Sequence, residues 1–176
     1  LIENTIVVFI SDHGYHLGEH GHWQKQTLFE NATRIPMMIS IPGTEGVRRS
    51  DSPVELLDLY PTLMDYTDIE RPRHIVGRSL RPIISGQKAS VRDGAITQYR
   101  QGISLRTSRY RITKWGEDIG TDFELYDHRT DSQELHNLAR DSSHSMLLDS
   151  LRAVLELRAI ELGQKPEGLG RQFEDI

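Results

Sequence analysis

The chain contains no cysteine. Disulfides, thiolate zinc sites and cysteine nucleophiles are therefore excluded, and the redox compartment stays open. Positive charge is in deficit. Lys and Arg number 21 against 26 Asp and Glu, for a net charge of −5 and a pI near 5.9. Nonspecific nucleic-acid binding needs a basic face, so no nucleic-acid partner is expected. No apolar run approaches the length of a bilayer span, so no membrane span is expected. No secretory leader, internal repeat or low-complexity tract stands out. What remains is ordinary for a globular protein: 36% hydrophobic and 27% charged residues in a chain of 176. That length suits one domain with a small appendage, burying about 70% of its unfolded surface.

The most apolar stretch runs from Thr5 to Ile10, rich in β-branched residues. Such a run suits a strand covered on both faces, as in a parallel sheet. Little chain precedes it, so the other strands of that sheet are expected on sequence outside this chain. A loop from Ser11 to about Gln26 follows, then a short helix and a second strand, Met37 to Ile41, closed by a Pro42-Gly43 turn. A helix is predicted from near Ser52, with Pro53 in its first turn and Leu56, Leu59, Leu63 and Met64 at helical spacing. Pro61 should kink or divide it. Residues 67–93 read as a connecting segment. Short strands then follow at Ala95–Tyr99, Ile103–Thr107, Tyr110–Trp115 and Phe123–Tyr126, forming a small antiparallel sheet. A helix from about Ser143 to Leu162 carries Leu148, Leu151, Leu155 and Leu162 on one face, capped by Asp141 or Ser142. The tail, residues 166–176, is rich in glycine and expected to be loose.

The chemistry is concentrated between Ser11 and Lys25. Asp12 and His13 follow directly after the first strand, where open α/β sheets bind ligands. A carboxylate and an imidazole there can reach a cation. Gly14, Gly18 and Gly21 allow close backbone approach. Lys25 adds an ammonium from the end of the same loop. A cation beside an ammonium suits a tetrahedral anion such as sulfate or phosphate. The plainer alternative is a turn-capping Asp in a solvated, His-rich loop. The histidines at 13, 16, 20 and 22 follow no defensible zinc spacing.

Ser11-Asp12-His13-Gly14, Leu17-Gly18-Glu19-His20-Gly21 and Trp23-Gln24-Lys25 together resemble the second metal-and-sulfate segment of type I sulfatases of the alkaline phosphatase superfamily. Within that family they most resemble the iduronate-2-sulfatase branch and its bacterial relatives. The similarity continues through Phe29-Glu30, Thr33 to Pro36, Ile41 to Gly43, Val54 to Leu63, Gly77 to Leu80, Arg106 to Thr113, Glu124 to Asp127 and Asn137 to Ala139, covering roughly residues 3 to 140.

The resemblance implies an α/β fold. Residues 1–88 would close an alkaline-phosphatase-like mixed-sheet domain. Residues 89–165 would form a small C-terminal antiparallel sheet with a packed helix. It implies hydrolysis of a sulfate ester, on a sulfated carbohydrate such as a 2-O-sulfated uronic acid. It implies calcium held by Asp12 and His13, Asp12 being the firmer ligand because calcium prefers oxygen. Lys25 would contact the sulfate. Tyr15 would shape the pocket, and His20 would orient a ligand or touch substrate. His16 and His22 are expected in loop packing or solvent, Trp23 as an anchor of the loop, and Arg34 and Arg100 as surface residues.

The family's nucleophile, a formylglycine made from Cys or Ser in a (Cys/Ser)-x-(Pro/Ala)-x-Arg motif, has no counterpart here. Ser40-Ile41-Pro42-Gly43-Thr44 lacks the Arg. The partner implied is therefore the N-terminal half of the enzyme, as missing sequence or a separate chain, and this chain alone should be inactive. An exported or lysosomal location goes with the family. The rival readings are a phosphonate monoester hydrolase or phosphodiesterase of the same superfamily, and a noncatalytic fragment.

Overall fold

A computed structural model describes residues 2–44, 46, 48–116 and 123–163. Two antiparallel sheets organise the chain. The first pairs β1 (Val7–Ile10) with β2 (Met37–Ser40), in the register Val7 to Ser40 and Ile10 to Met37. β1 was expected in a parallel sheet whose other strands lie outside this chain; the neighbour it has here is antiparallel. Among the described residues β1 has one neighbour, β2, and runs against it. Val7 is 48% exposed and Phe9 and Met38 are each 58% exposed. The unbroken apolar run has too few partners within this chain to bury both of its faces.

Between β1 and β2 lie the His-rich loop and the single turn α1 (Glu30–Thr33). After β2 the helix α2 (Leu59–Thr67) is led in by a 3-10 turn over Leu56–Asp58. It starts later than Pro53 suggested. Glu55 is extended at φ −118° and ψ 150°, and its N–H donates to the Asp58 carboxylate at 2.9 Å. An acidic side chain two to three positions into the turn satisfies an otherwise orphan donor there. Pro61 neither kinks nor divides α2. It sits in the first turn, where its missing N–H costs nothing. The supposed connecting segment contains another turn of helix, α3 (Arg81–Ile84), with Pro82 near its start.

The second sheet is a meander in the order β3 (Gly94–Tyr99), β4 (Gly102–Thr107), β5 (Tyr110–Lys114) and β6 (Phe123–Asp127). All three pairings are antiparallel. α4 (Ser145–Leu162) packs on it. Its lead-in turn is capped by Asp141, which accepts from the Ser143 N–H at 2.9 Å. Leu105, Ile112 and Leu125 from the sheet and Leu155 from α4 form the buried core. Leu147, Leu148, Leu151 and Val154 flank it. Each such side chain contributes about 1.5–3 kcal/mol on leaving water, which is why this corner holds together. The expected loose tail, residues 166–176, lies outside the described residues. Among the described residues no helix is long and apolar enough to cross a membrane.

Candidate active site

The end of β1 delivers Asp12 and His13, and the loop returns Lys25 to them. The Lys25 Nζ lies 2.7 Å from His13 Nε2, and an Asp12 Oδ2 lies 3.4 Å from the same nitrogen. The His13 ring is oriented by its other side, where Nδ1 meets the Gly14 carbonyl at 2.6 Å. A carbonyl only accepts, so Nδ1 carries a proton. In the neutral ring, Nε2 then keeps a lone pair directed at Lys25. Three sequence-predicted residues thus meet at one nitrogen: a carboxylate, an imidazole lone pair and an ammonium.

The backbone holds that meeting point. The Gly14 N–H donates to the Ala32 carbonyl in α1 at 2.8 Å. A Cβ on Gly14 would stand 1.9 Å from the Asn31 carbonyl oxygen, so only glycine allows the close approach. Ser11 Oγ donates to the His13 carbonyl at 2.7 Å. The returning arm is zipped by His16 N–H to the Gln24 carbonyl at 3.0 Å and Gly18 N–H to the His22 carbonyl at 2.9 Å. Its tip turns through Gly18, His20 and Gly21, all with positive φ. Burial raises the Asp12 carboxyl, but its backbone bonds and the neighbouring His13 and Lys25 side chains outweigh that and hold it below the usual carboxylate range. It stands ionised, with its side chain 81% exposed.

Asp12 and His13 could hold a divalent ion between them, since they offer one anionic oxygen and one nitrogen to the same side. Calcium takes about six to eight oxygens, so Asp12 fits one corner of its shell, and His13 Nε2 would be a less favoured nitrogen donor at a second.

The other candidate residues fall elsewhere in the loop. Tyr15 is exposed, and its hydroxyl donates to the Trp23 carbonyl at 2.9 Å. His20 stacks on Phe29, with ring centroids 3.9 Å apart and planes within 4°. His16 is fully buried, and its Nε2 meets Thr27 Oγ1 at 2.7 Å. Burial first, and then His20 and His22 nearby, push the His16 imidazole down and keep it neutral. It is a packing residue of the loop. The Trp23 ring covers Gly18 but is itself largely exposed, a weaker anchor than expected. Arg34 and Arg100 are surface residues, Arg100 standing over the Tyr99 ring.

Sequence reasoning missed a buried network behind α1. Arg111 reaches Glu134 Oε1 and Glu30 Oε2 at 2.5 Å each, Thr33 Oγ1 at 2.9 Å and Ser104 Oγ at 3.0 Å. Nothing local signals it, because Glu30 and Glu134 are 104 residues apart.

The profile of the family described as "N-sulphoglucosamine sulphohydrolase, C-terminal" matches residues 18–160. The chain belongs to this sulfatase family. A delta 4,5-hexuronate-2-O-sulfatase of Bacteroides thetaiotaomicron is 32% identical, aligning 87% of this chain with 34% of its own. The iduronate 2-sulfatase of Mus musculus is 28% identical, over 86% of this chain and 41% of its own. Among solved structures, a 2-O GAG sulfatase superposes with a TM-score of 0.79 at 30% identity, covering 92% of this chain and 37% of that one. A phosphonate monoester hydrolase from Silicibacter pomeroyi superposes equally, at 0.79 and 27% identity, covering 90% of this chain and 35% of that one. The sulfatase chain described here spans about a third of the length of the curated relatives it matches. The small antiparallel sheet with its packed helix belongs to an alkaline-phosphatase-like fold, as these neighbours do.

Proposed function

We propose that this chain supplies the loop that grips the sulfuryl group in a sulfuric ester hydrolase, and that the substrate is a sulfated carbohydrate such as a 2-O-sulfated uronic acid. The observation that carries the reading is the convergence of Asp12, His13 and Lys25 on one point, in a chain of a sulfatase family. Calcium held by Asp12 and His13 would supply positive charge against the sulfuryl oxygens. Lys25 keeps its proton at Nζ. On arrival of an anion it exchanges the His13 lone pair for a sulfuryl oxygen, and its charge counts for more as the S–O bond lengthens. His13 keeps its Nδ1 proton on the Gly14 carbonyl throughout, which leaves its Nε2 free to hold an ion once Lys25 has turned to the anion. In this reading Tyr15, exposed on the loop, would shape the pocket, and His20, stacked on Phe29, would brace the loop that carries Lys25.

The formylglycine nucleophile and the remaining metal ligands come from the N-terminal half of the enzyme, so this chain by itself is inactive. An exported or lysosomal compartment accompanies the reading. The 2-O preference is supported by the hexuronate-2-O-sulfatase relative and the 2-O GAG sulfatase neighbour.

A second reading has its own support. The phosphonate monoester hydrolase superposes as well as the sulfatase does, and a phosphonate presents a tetrahedral anion of similar size. Turnover of a sulfate ester beside a phosphonate monoester by the complete enzyme separates the two. The sulfatase reading expects the sulfate to be preferred. A preference for the phosphonate would overturn it.

A further inference from the structure

The loop that carries Lys25 and the turn α1 behind it are fastened to the C-terminal sheet. Leu28 is fully buried and lies against Gly102, and Phe29 packs among Trp115 and Tyr126, with ring centroids 6.4 and 6.3 Å away. α1 begins without a side-chain cap of its own. Its first N–H, that of Glu30, instead donates to Glu134 Oε2 at 2.7 Å. The carboxylate that satisfies this donor thus comes from beyond β6 (Phe123–Asp127).

Glu134 is in turn held by Arg111 on β5 and by His128, whose Nε2 lies 2.8 Å from Oε1. Arg106 on β4 donates to Glu30 Oε2 at 3.1 Å and to His128 Nδ1 at 3.0 Å. Because Nδ1 accepts there, a neutral His128 carries its proton on Nε2 and donates it to Glu134. Two carboxylates face two guanidiniums, so the charges balance. Glu30, His128 and Glu134 are close enough together to suggest a metal site. Their ligand atoms are already engaged by Arg106, Arg111 and one another, so a cation is not needed there.

The opposite side of α1 touches the candidate active site. Its Ala32 carbonyl accepts from the Gly14 N–H, next to His13, and the Asn31 carbonyl fills the space where a Gly14 side chain would be. A single helical turn therefore stands between the buried ion network and the residue that meets Lys25.

We infer that Glu134 and Arg111 are positioning residues for the Asp12–His13–Lys25 cluster: the C-terminal sheet sets the place of α1, and α1 sets the place of His13. The inference rests on the reading of that cluster as the sulfate site. It gives the C-terminal sheet a part in the reaction that needs no contact of Glu134 or Arg111 with substrate.

The test uses the complete enzyme with Glu134→Gln, Arg111→Lys and the milder Thr33→Val, beside Arg92→Lys as control. Arg92 makes an equally buried pair with Glu55 and Asp58, away from α1. The readouts are hydrogen exchange of the Gly14 amide, kcat and KM for a sulfate ester, and the melting temperature. Expected for the three network variants is faster Gly14 exchange and a kcat lower by roughly 10–100-fold, with KM little changed. Arg92→Lys should lower the melting temperature alone. Thr33→Val removes one acceptor of Arg111, so it keeps the test decisive if the charged variants fail to fold. Unchanged Gly14 exchange and kcat in the network variants would overturn the inference. If the wild type fails to turn over sulfate esters, the functional reading fails. Gly14 exchange then still decides whether the network positions the loop.

Discussion

Gly14 has no side chain because the Asn31 carbonyl occupies the space a Cβ would need. Gly14→Ala must push α1 away from the end of β1, and it should cost about 1–3 kcal/mol, as overpacking does. Thermal unfolding of the complete enzyme checks this, and sulfate turnover should fall with it. Asp12 makes a separate prediction. Its exposed carboxylate is the anionic group beside His13, so Asp12→Ala should raise the calcium needed for half-maximal activity by at least about tenfold. A calcium titration of activity in chelator-buffered solution reads the effect. At this scale the sequence was informative where partners are local. Asp12, His13 and Lys25 sit within fourteen positions of one another, and the glycines between them signal the turn that brings them together. His16 was expected in loop packing or in solvent, and the structure decides for packing. The loop folds over it and buries it completely.

Among the elements, the β3–β6 meander and α4 were legible, because hairpin pairing and helical spacing are short-range patterns. The start of α2 was not. Pro53 looked like a first-turn proline, but Asp58 satisfies the Glu55 N–H, so the lead-in turn begins at Leu56 and α2 at Leu59. The pairing of β1 was also unreadable, because an apolar run reports burial and not the direction of its neighbour. α4 offers a direct test of packing. Leu155 is buried among Leu105, Ile112 and Leu125. Leu155→Ala should destabilise the protein by about 2–5 kcal/mol, seen in denaturant unfolding. Because α4 lies across the sheet from the ion network behind the Lys25 loop, kcat should change far less than stability.

Over the whole molecule, buried charge links the turn α1 to the C-terminal sheet, and that makes stability depend on pH. Burial raises the carboxyls of Glu30 and Glu134, but the charge and bonds of Arg111, Arg106 and His128 outweigh it and leave both below the usual glutamate value of 4.5. A depressed folded value means the stabilisation is present above about 4.5 and is lost as pH falls through the lower, folded values. Melting temperatures should therefore drop below about pH 4.5, and Glu134→Gln should flatten that dependence. The exposed apolar faces of β1 and β2 fit a chain that spans about a third of its curated relatives, where the rest of the enzyme would cover them. If this loop grips a sulfuryl group, Lys25 carries much of the grip. Turnover of a sulfate ester by the complete enzyme, wild type beside Lys25→Ala, tests it most directly. The account predicts a kcat lower by about 100–1,000-fold with folding intact. Equal turnover by the two proteins would contradict it.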